Sequence, residues 1–349
     1  MANDEVVIPA DRLQSFTRDI LAAAGTPAKR AALWAEVLVW ANLRGTDSHG
    51  VLRIPRYLEW IADGTIVPAA EPRLVRSTAA TAVIDGAGAP GPIGMVRACQ
   101  EAMALARDAG IGWVQARDLT HVGPLGWYAR HIAEQGLAAI LLLASRGPMA
   151  WPDAQGIGSA TSPLAIAIPA GKGRVHAVDM STTTVAMGKV SEAGDAGRPI
   201  PDGWAADAQG RPTNDPAQVA MLQPLGGYKG AALSFMIECL AGGLVANSMM
   251  VNALTKRSPR VFHQNCVVAA VDPSAVGDPA ASAAEIAALG DAIHGLPALP
   301  GTEGPVLPGE RGDRIVAARR RDGVPLAAGT WAKLGEAAAA LGVGVPSVR

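Results

Sequence analysis

A histidine, three hydroxyls and three arginines crowd together in the stretch Arg44-Gly45-Thr46-Asp47-Ser48-His49-Gly50-Val51-Leu52-Arg53-Ile54-Pro55-Arg56-Tyr57. Imidazole can give or take a proton near neutral pH, and guanidinium can grip a carboxylate by two parallel hydrogen bonds. Together they are the parts needed to reduce a carbon that lies beside a carboxylate. If the turn is helical, positions 49 and 53 share a face. Ser48 is placed to orient the imidazole. Arg56 is the alternative carboxylate holder, but Pro55 tends to end a turn and send Arg56 elsewhere. A histidine with an arginine four residues on is also a common structural pairing, so this cluster alone leaves its chemistry open.

Five further clusters follow in order. Leu119-Thr120-His121-Val122-Gly123-Pro124-Leu125-Gly126 lies just past a predicted strand, where α/β proteins place functional loops. Ala160-Thr161-Ser162-Pro163 opens another strand, and Val178-Asp179-Met180-Ser181-Thr182-Thr183-Thr184 ends one in a run of hydroxyls. Gln223-Pro224-Leu225-Gly226-Gly227-Tyr228-Lys229-Gly230 sets one of only six lysines in a glycine-rich loop at a helix start, a place suited to phosphate. Leu307-Pro308-Gly309-Glu310 is a polar loop. Taken singly, each reads as a loop or a cap before it reads as a site.

The elements that must position these clusters alternate. Residues 9 to 42 read as helical, with Leu13, Phe16, Ile20 and Leu21 at helical spacing and Thr26-Pro27 as cap and first position of a second helix. Arg56 to Ala62 and Gly91 to Ala109 read as helices. Strands are predicted at 81–85, 112–117, 137–144, 163–169 and 174–180, and late helices at 280–289 and 331–341. The alternation indicates an α/β protein.

Gly86, Gly88 and Gly91 spell G-x-G-x-x-G between a predicted strand and helix, the setting of a dinucleotide fingerprint. Pro90 and Pro92 remove backbone N–H groups where a pyrophosphate needs donors. The acidic residue expected about 20 positions on is missing from a clean strand end; Asp118, the nearest there, comes 27 after Gly91. A glycine-rich strand-to-helix turn is the preferred reading.

Composition narrows the class. The 349 residues carry 30 basic and 31 acidic side chains, a balance that argues against a nucleic-acid or anionic-membrane surface. The run Arg319-Arg320-Arg321 reads as a solvated helix face. Hydrophobic residues make up 49% and aromatics only 4%, so the cores must be aliphatic. Cys99, Cys239 and Cys266 match no metal or redox spacing and read as buried reduced thiols of a cytoplasmic protein. The six histidines show no i, i+4 pairing, so no metal site is expected. The acidic N-terminus does not read as a signal peptide. Leu233 to Val251 is apolar, but Glu238 and Asn247 inside it favour a buried or half-buried helix over a membrane span.

In order along the chain, the six clusters resemble the malate/L-lactate dehydrogenase-like family, which includes ureidoglycolate and sulfolactate dehydrogenases, diketogulonate reductase and Δ1-piperideine-2-carboxylate reductase. The resemblance runs from about Leu43 to Arg311 and rests most on S-H-G-x-x-R-x-P-x-Y and G-G-Y-K-G. It implies an α/β, non-Rossmann, sulfolactate-dehydrogenase-like fold. It further implies a helical, dimerising domain (1–75 with 305–349), a substrate-side α/β domain (76–120 with 265–304) and a cofactor-binding domain (121–264). By resemblance His49 is the proton donor, supported by Ser48, and Arg53 holds the substrate carboxylate. His121 matches a second site histidine that rivals His49 for the acid-base role, and Thr161 meets the substrate. NAD(P)H would contact Ser145, Val178, Asp179, Met180, Ser181, Thr183, Lys229, Gly230, Pro308, Gly309 and Glu310. The sequence departs from the family at Ala160 and Ser162, where glycine and asparagine are usual, and at Met180 to Thr184. The loop Arg146 to Pro152 is also unusual, and its Trp151 is placed to shape the pocket. These departures bear on substrate more than on reaction type.

Three functions follow: a 2-oxo acid reductase forming a homodimer, a cyclic imino acid reductase using the same histidine and arginine, and a nucleotide-binding protein without turnover. A serine hydrolase is disfavoured, because no G-x-S-x-G elbow occurs and adjacent Ser48 and His49 cannot form the usual Ser-to-imidazole geometry without strain.

Overall fold

The computed structural model describes residues 5–195, 197–255 and 263–348. The first four residues of the acidic N-terminus lie outside that range. Helices Ala10–Ala23 and Ala28–Leu43 pack together because Leu13, Phe16, Ile20 and Leu21 fall on one face. Both ends of the chain enter the same core. Strand Glu5–Ile8 pairs antiparallel with Val324–Ala327, and helix Ala328–Ala340 adds Leu334 and Ala338. The second helix differs from expectation at its start: Pro27 is the cap, the first helical residue is Ala28, and Thr26 makes no capping bond. Pro27 adopts an extended ψ of 139°, which places it outside the helix.

The central element is a seven-stranded sheet. Its order is Arg73–Ser77, Thr81–Asp85, Ile111–Leu119, Gln264–Val271, Ala138–Ala144, Leu164–Pro169, Val175–Met180. Only the pairing of Thr81–Asp85 with Ile111–Leu119 is parallel; the other five are antiparallel. Helices Gly91–Ala109 and Leu125–Glu134 cover one face with a core rich in Ala, Val and Leu. The late strand Gln264–Val271 inserts between Ile111–Leu119 and Ala138–Ala144. A smaller sheet, Pro212–Thr213, Ala205–Ala206, Met221–Leu222, Met149–Ala150, Ile157–Ser159, is joined by helix Met187–Asp195 around Val185, Val190, Ile200 and Leu222.

The glycine turn packs against the protein itself. A Cβ at Gly86 would lie 2.6 Å from the Asp118 carbonyl oxygen, and one at Gly91 only 2.3 Å from that of His121. Thr120 Oγ1 donates to Ala89 O at 3.0 Å and closes the contact. These glycines let the turn seat the loop that carries His121.

Tyr228–Val245 is apolar and long enough to meet the length and composition of a membrane span. Its helix ends at Ala241, and a 3-10 turn follows at Gly243–Val245. Buried Glu238 accepts hydrogen bonds from the Ser248 hydroxyl (2.6 Å) and the Met250 N–H (3.1 Å). The segment is half-buried, with Tyr228, Phe235, Met236 and Leu244 exposed. Cys99 and Cys266 are buried as expected, whereas Cys239 is only half-buried.

Candidate active site

The chain leaves helix Ala28–Leu43 through Asn42, which organises the turn that follows. Its Oδ1 accepts from the Val51 N–H at 2.9 Å, and its Nδ2 donates to Asp47 Oδ1 at 2.7 Å. Arg319 holds both oxygens of Asp47, at 2.8 and 3.2 Å. One member of the basic run is therefore a clamp under the site and not a solvated side chain. A Cβ at Gly50 would sit 2.2 Å from Asn42 Oδ1, so only glycine fits there.

Gly50 is extended, with ψ −152°, and splits the segment into two 3-10 turns, Asp47–His49 and Val51–Arg53. The shared helical face expected for His49 and Arg53 does not form. Arg53 instead folds back so that Nε donates to the Ser48 carbonyl at 2.7 Å. Ser48 Oγ lies 2.9 Å from His49 Nδ1. The 3-10 turn sets the two side chains together through Nδ1, which is not the Nε2 contact of a serine hydrolase. Pro55 starts helix Ile54–Ala62 and does not end a turn. Arg56 does point elsewhere: it pairs with Glu59 and stacks on Trp60.

His121 follows strand Ile111–Leu119 and is buried. The Tyr57 hydroxyl lies 2.7 Å from His121 Nδ1. Tyr57 is itself fully buried against Trp34, ring centroids 5.2 Å apart. The rings of His49 and His121 stack, centroids 5.6 Å apart and planes at 27°. Burial, and then the Arg53 cation, lower the His49 pKa from 6.5 to about 4. Burial, His49 and Arg53 together hold His121 well below 6.5. Burial pushes the Tyr57 hydroxyl up, so it stays protonated, and its bond to Nδ1 fixes the orientation of the His121 ring.

The expected cofactor segments gather nearby. Strand alternation turns Asp179 toward helix Leu125–Glu134, where Oδ2 accepts from the Gly126 N–H at 2.6 Å. Surrounding protein raises the Asp179 pKa to about 6, with Gly126 and Arg44 opposing; the residue is exposed, so water screens the effect. The same alternation turns Val178 and Met180 to the opposite face, so their side chains do not join Asp179. Ala177 N donates to Pro308 O at 3.2 Å, and Arg44 donates to Gly309 O at 2.8 Å, which brings Pro308–Glu310 alongside Asp179. The Glu310 carboxylate is occupied by the Leu307 N–H (2.9 Å) and His294 (3.0 Å).

Ser181 and Thr183 bond each other at 2.9 Å, and the Thr183 hydroxyl also donates to Val185 O. Thr182 reaches Thr161 O with both its N–H (2.8 Å) and its hydroxyl (2.9 Å). Leu225 N donates to Thr182 O, and a Cβ at Gly230 would lie 2.6 Å from that same oxygen. Gly230 therefore serves close packing. Gly226 and Gly227, at φ +61° and +65°, turn the chain into helix Tyr228–Ala241, and Lys229 stands exposed in its first turn without an ion-pair partner among the described residues. Ser145 is buried. Gly188 packs against Ser48, its added Cβ 3.1 Å from Ser48 Cβ, and joins this group to the histidines.

Sequence reasoning assigns no role to Tyr57, Arg44, Gly126 or Gly188. Tyr57 stands inside the S-H-G-x-x-R-x-P-x-Y motif, but its partner lies 64 residues away. One consequence is measurable by NMR of the imidazole nitrogens. In the free protein His49 titrates near pH 4 and is neutral above it. Arg53→Met raises that value but leaves it below 6.5, since burial is the larger cause. A wild-type His49 titrating at or above 6.5 contradicts the assignment.

The family model for malate/L-lactate dehydrogenase matches residues 8–335. The L-sulfolactate dehydrogenase of Methanothermobacter thermautotrophicus is 32% identical over 313 residues, 88% of this chain and 89% of that protein. The malate dehydrogenase structure from Entamoeba histolytica superposes with a TM-score of 0.93 at 25% identity, covering 99% of this chain and 100% of that one. The Δ1-piperideine-2-carboxylate reductase structure from Pseudomonas syringae gives 0.82 at 28%, covering 95% and 99%.

Proposed function

Because the chain belongs to the malate/L-lactate dehydrogenase family and is an oxidoreductase, we propose that it interconverts a small 2-oxo acid and its 2-hydroxy acid with NAD(P)H, using His49 as the proton donor. The observation that carries this reading is the half-buried Arg53, which has no described carboxylate partner and lies close enough to lower the pKa of both stacked histidines. A buried cation without a counter-ion is costly, and a substrate carboxylate supplies one.

The electrostatics couple binding to proton transfer. In the free enzyme Arg53 helps keep His49 neutral, the form that accepts the proton of a 2-hydroxyl. A carboxylate on Arg53 offsets that cation and raises the proton affinity of His49, favouring the form that donates during reduction. Ser48 on Nδ1 leaves Nε2 to face the substrate oxygen. Thr161 would meet the substrate beside it.

A bound nicotinamide would supply or accept the hydride. Lys229, exposed in the first turn of a helix, fits a phosphate of such a cofactor. Asp179, Ser181, Thr183, Ser145 and the backbone of Pro308–Glu310 would line the rest. Lys229→Ala should weaken cofactor binding by about 1–3 kcal/mol, the loss of one charge-assisted hydrogen bond. Gly88→Ala should leave it unchanged, since Gly88 belongs to the turn that seats His121. Equilibrium binding of NADH and NADPH checks both; the reverse pattern would return the cofactor to the glycine turn.

Reduction of a cyclic imine beside a carboxylate is the second reading, favoured by the structural similarity to a Δ1-piperideine-2-carboxylate reductase. Following nicotinamide absorbance with both cofactors against 2-oxo acids and cyclic imines separates the two and fixes the cofactor preference. We also propose a cytoplasmic homodimer. The terminal helices bury their apolar faces within the chain, so the contact is assigned instead to exposed Phe235, Met236 and Leu244 with Ile140 and Ile166 of the sheet. A monomer with full activity at micromolar concentration in sedimentation contradicts it.

A further inference from the structure

We propose that Gln264 and Asn265 are positioning residues for His121, which they aim at His49 by holding a β-bulge at the end of strand Ile111–Leu119. The inference rests on the reductase reading above and adds the device that sets the second histidine of the site.

Strand Ile111–Leu119 pairs with Gln264–Val271 residue for residue from Ile111 to Ala116. Beyond that point Cys266 stands opposite Ala116 and Gln264 opposite Leu119, so Arg117 and Asp118 together face the single Asn265. An extra residue of this kind kinks a strand and inverts its side-chain alternation. Val114 and Ala116 enter the core under helix Gly91–Ala109, and Leu119, an odd number of residues on, enters the same core. Without the bulge Leu119 would turn to the other face and His121 would leave the strand end in a different direction. Asp118 takes up the kink at φ +51°, a left-handed conformation that a residue with a Cβ holds only when its surroundings fix it.

The surroundings are the first two residues of the inserted strand. Gln264 and Asn265 precede the apolar run Cys266-Val267-Val268-Ala269-Ala270-Val271, and both are buried. A side-chain amide there costs more than a hydrocarbon unless it is bonded. Both amides are bonded, and to the segment that carries His121. Asn265 Oδ1 accepts from the Asp118 N–H at 3.1 Å. Asn247 Nδ2 donates to Asp118 Oδ1 and to Asn265 Oδ1, each at 3.1 Å, and Asn265 Nδ2 donates to Asn247 O at 2.6 Å. Gln264 Oε1 accepts from the Val122 N–H at 3.0 Å, while the Tyr128 hydroxyl donates to the Val122 carbonyl. The backbone is thus held at Asp118, three residues before His121, and at Val122, one residue after it. With the Tyr57 bond on Nδ1, these contacts fix the ring where it stacks on His49.

The test sets Gln264→Met, which keeps the shape and loses the oxygen, against Gln264→Glu, which keeps an oxygen in the same place. Gln264→Met should lower kcat about tenfold, part of the roughly 10²-fold that a 1 Å misplacement can cost. Gln264→Glu should recover part of the rate, and the affinity for NADH and NADPH should stay as in wild type. In the His121→Ala enzyme, Gln264→Met should change kcat by less than about twofold, because the group that it positions is gone. NMR of the free protein reads the same effect without turnover: the His121 ring resonances should move in Gln264→Met and return toward wild type in Gln264→Glu. Should Gln264→Met fail to fold, Asn265→Leu, which loses the bond to Asp118, is read in the same way. His121 resonances that do not move, or an equal loss of kcat with and without His121, overturn the proposal and leave the reductase reading in place. No turnover of any 2-oxo acid or cyclic imine by wild type overturns that reading, and the NMR comparison still decides the positioning.

Discussion

Replacing His49 with alanine should lower kcat by roughly 10²–10⁴, the usual worth of a positioned acid or base. The packing around the turn should survive, because Asn42, Asp47 and Arg319 hold it without using the imidazole. A loss in kcat with an intact thermal midpoint therefore reports chemistry. His121 is the rival, and the two differ in their partners. Tyr57 binds His121 on Nδ1, and both groups are wholly buried, so His121 is held in one orientation away from water. Ser48 binds His49 on Nδ1, and His49 is only half-buried, so its Nε2 is the more accessible of the two to a substrate. His121→Ala should accordingly cost less than His49→Ala. If it costs far more, the two roles must be exchanged.

Arg53→Ala should lower kcat/KM by about 2–5 kcal/mol, or roughly 30-fold to several thousand-fold, because truncating one partner of a buried charge pair strands the other. Both 2-oxo acids and cyclic imino acids place a carboxylate beside the reacting carbon. A planar guanidinium holds both oxygens and aims that carbon, so kcat should fall along with affinity. Arg53→Lys keeps the charge and loses the fork, and should recover only part of the rate. Arg56 is no substitute, being exposed and engaged with Glu59 and Trp60. Pairing each variant with the acid and its uncharged amide isolates the anion. If wild type uses acid and amide equally, or Arg53→Ala discriminates between them as strongly as wild type, Arg53 is not the anchor.

Local signals in the sequence carry far where they govern local structure. Helix Gly91–Ala109 begins and ends as expected, since Pro92 fits a first turn and Gly110 a left-handed end. The strands at Thr81–Asp85 and Val175–Met180 are equally legible from β-rich runs bounded by turns. The strand Gln264–Val271 is not. It is buried on nearly every residue, and a run without alternation does not separate strand from buried helix. Its insertion into the middle of the sheet is a long-range fact that no local pattern encodes. At the site, residue types point to Ser48, His49 and Arg53, but helical spacing is the wrong reason for their proximity. Their nearness comes from Gly50 pressed on Asn42. Tyr57 and Arg44 are hidden as site residues because each acts on a group more than sixty positions away.

The path of the hydride is the most direct test of the reaction. Reduced nicotinamide cofactor carrying deuterium on both C4 positions, incubated with the enzyme and a 2-oxo acid or cyclic imine, should yield a product with one deuterium on the carbon that bears the carboxylate. Mass spectrometry and proton NMR of the product read that position. Deuterium at C2, with cofactor oxidised in equal amount and the transfer lost in the His49 and Arg53 variants, is the predicted result. Cofactor that binds without being oxidised, or a product with no deuterium at C2, would contradict the reaction proposed for this site.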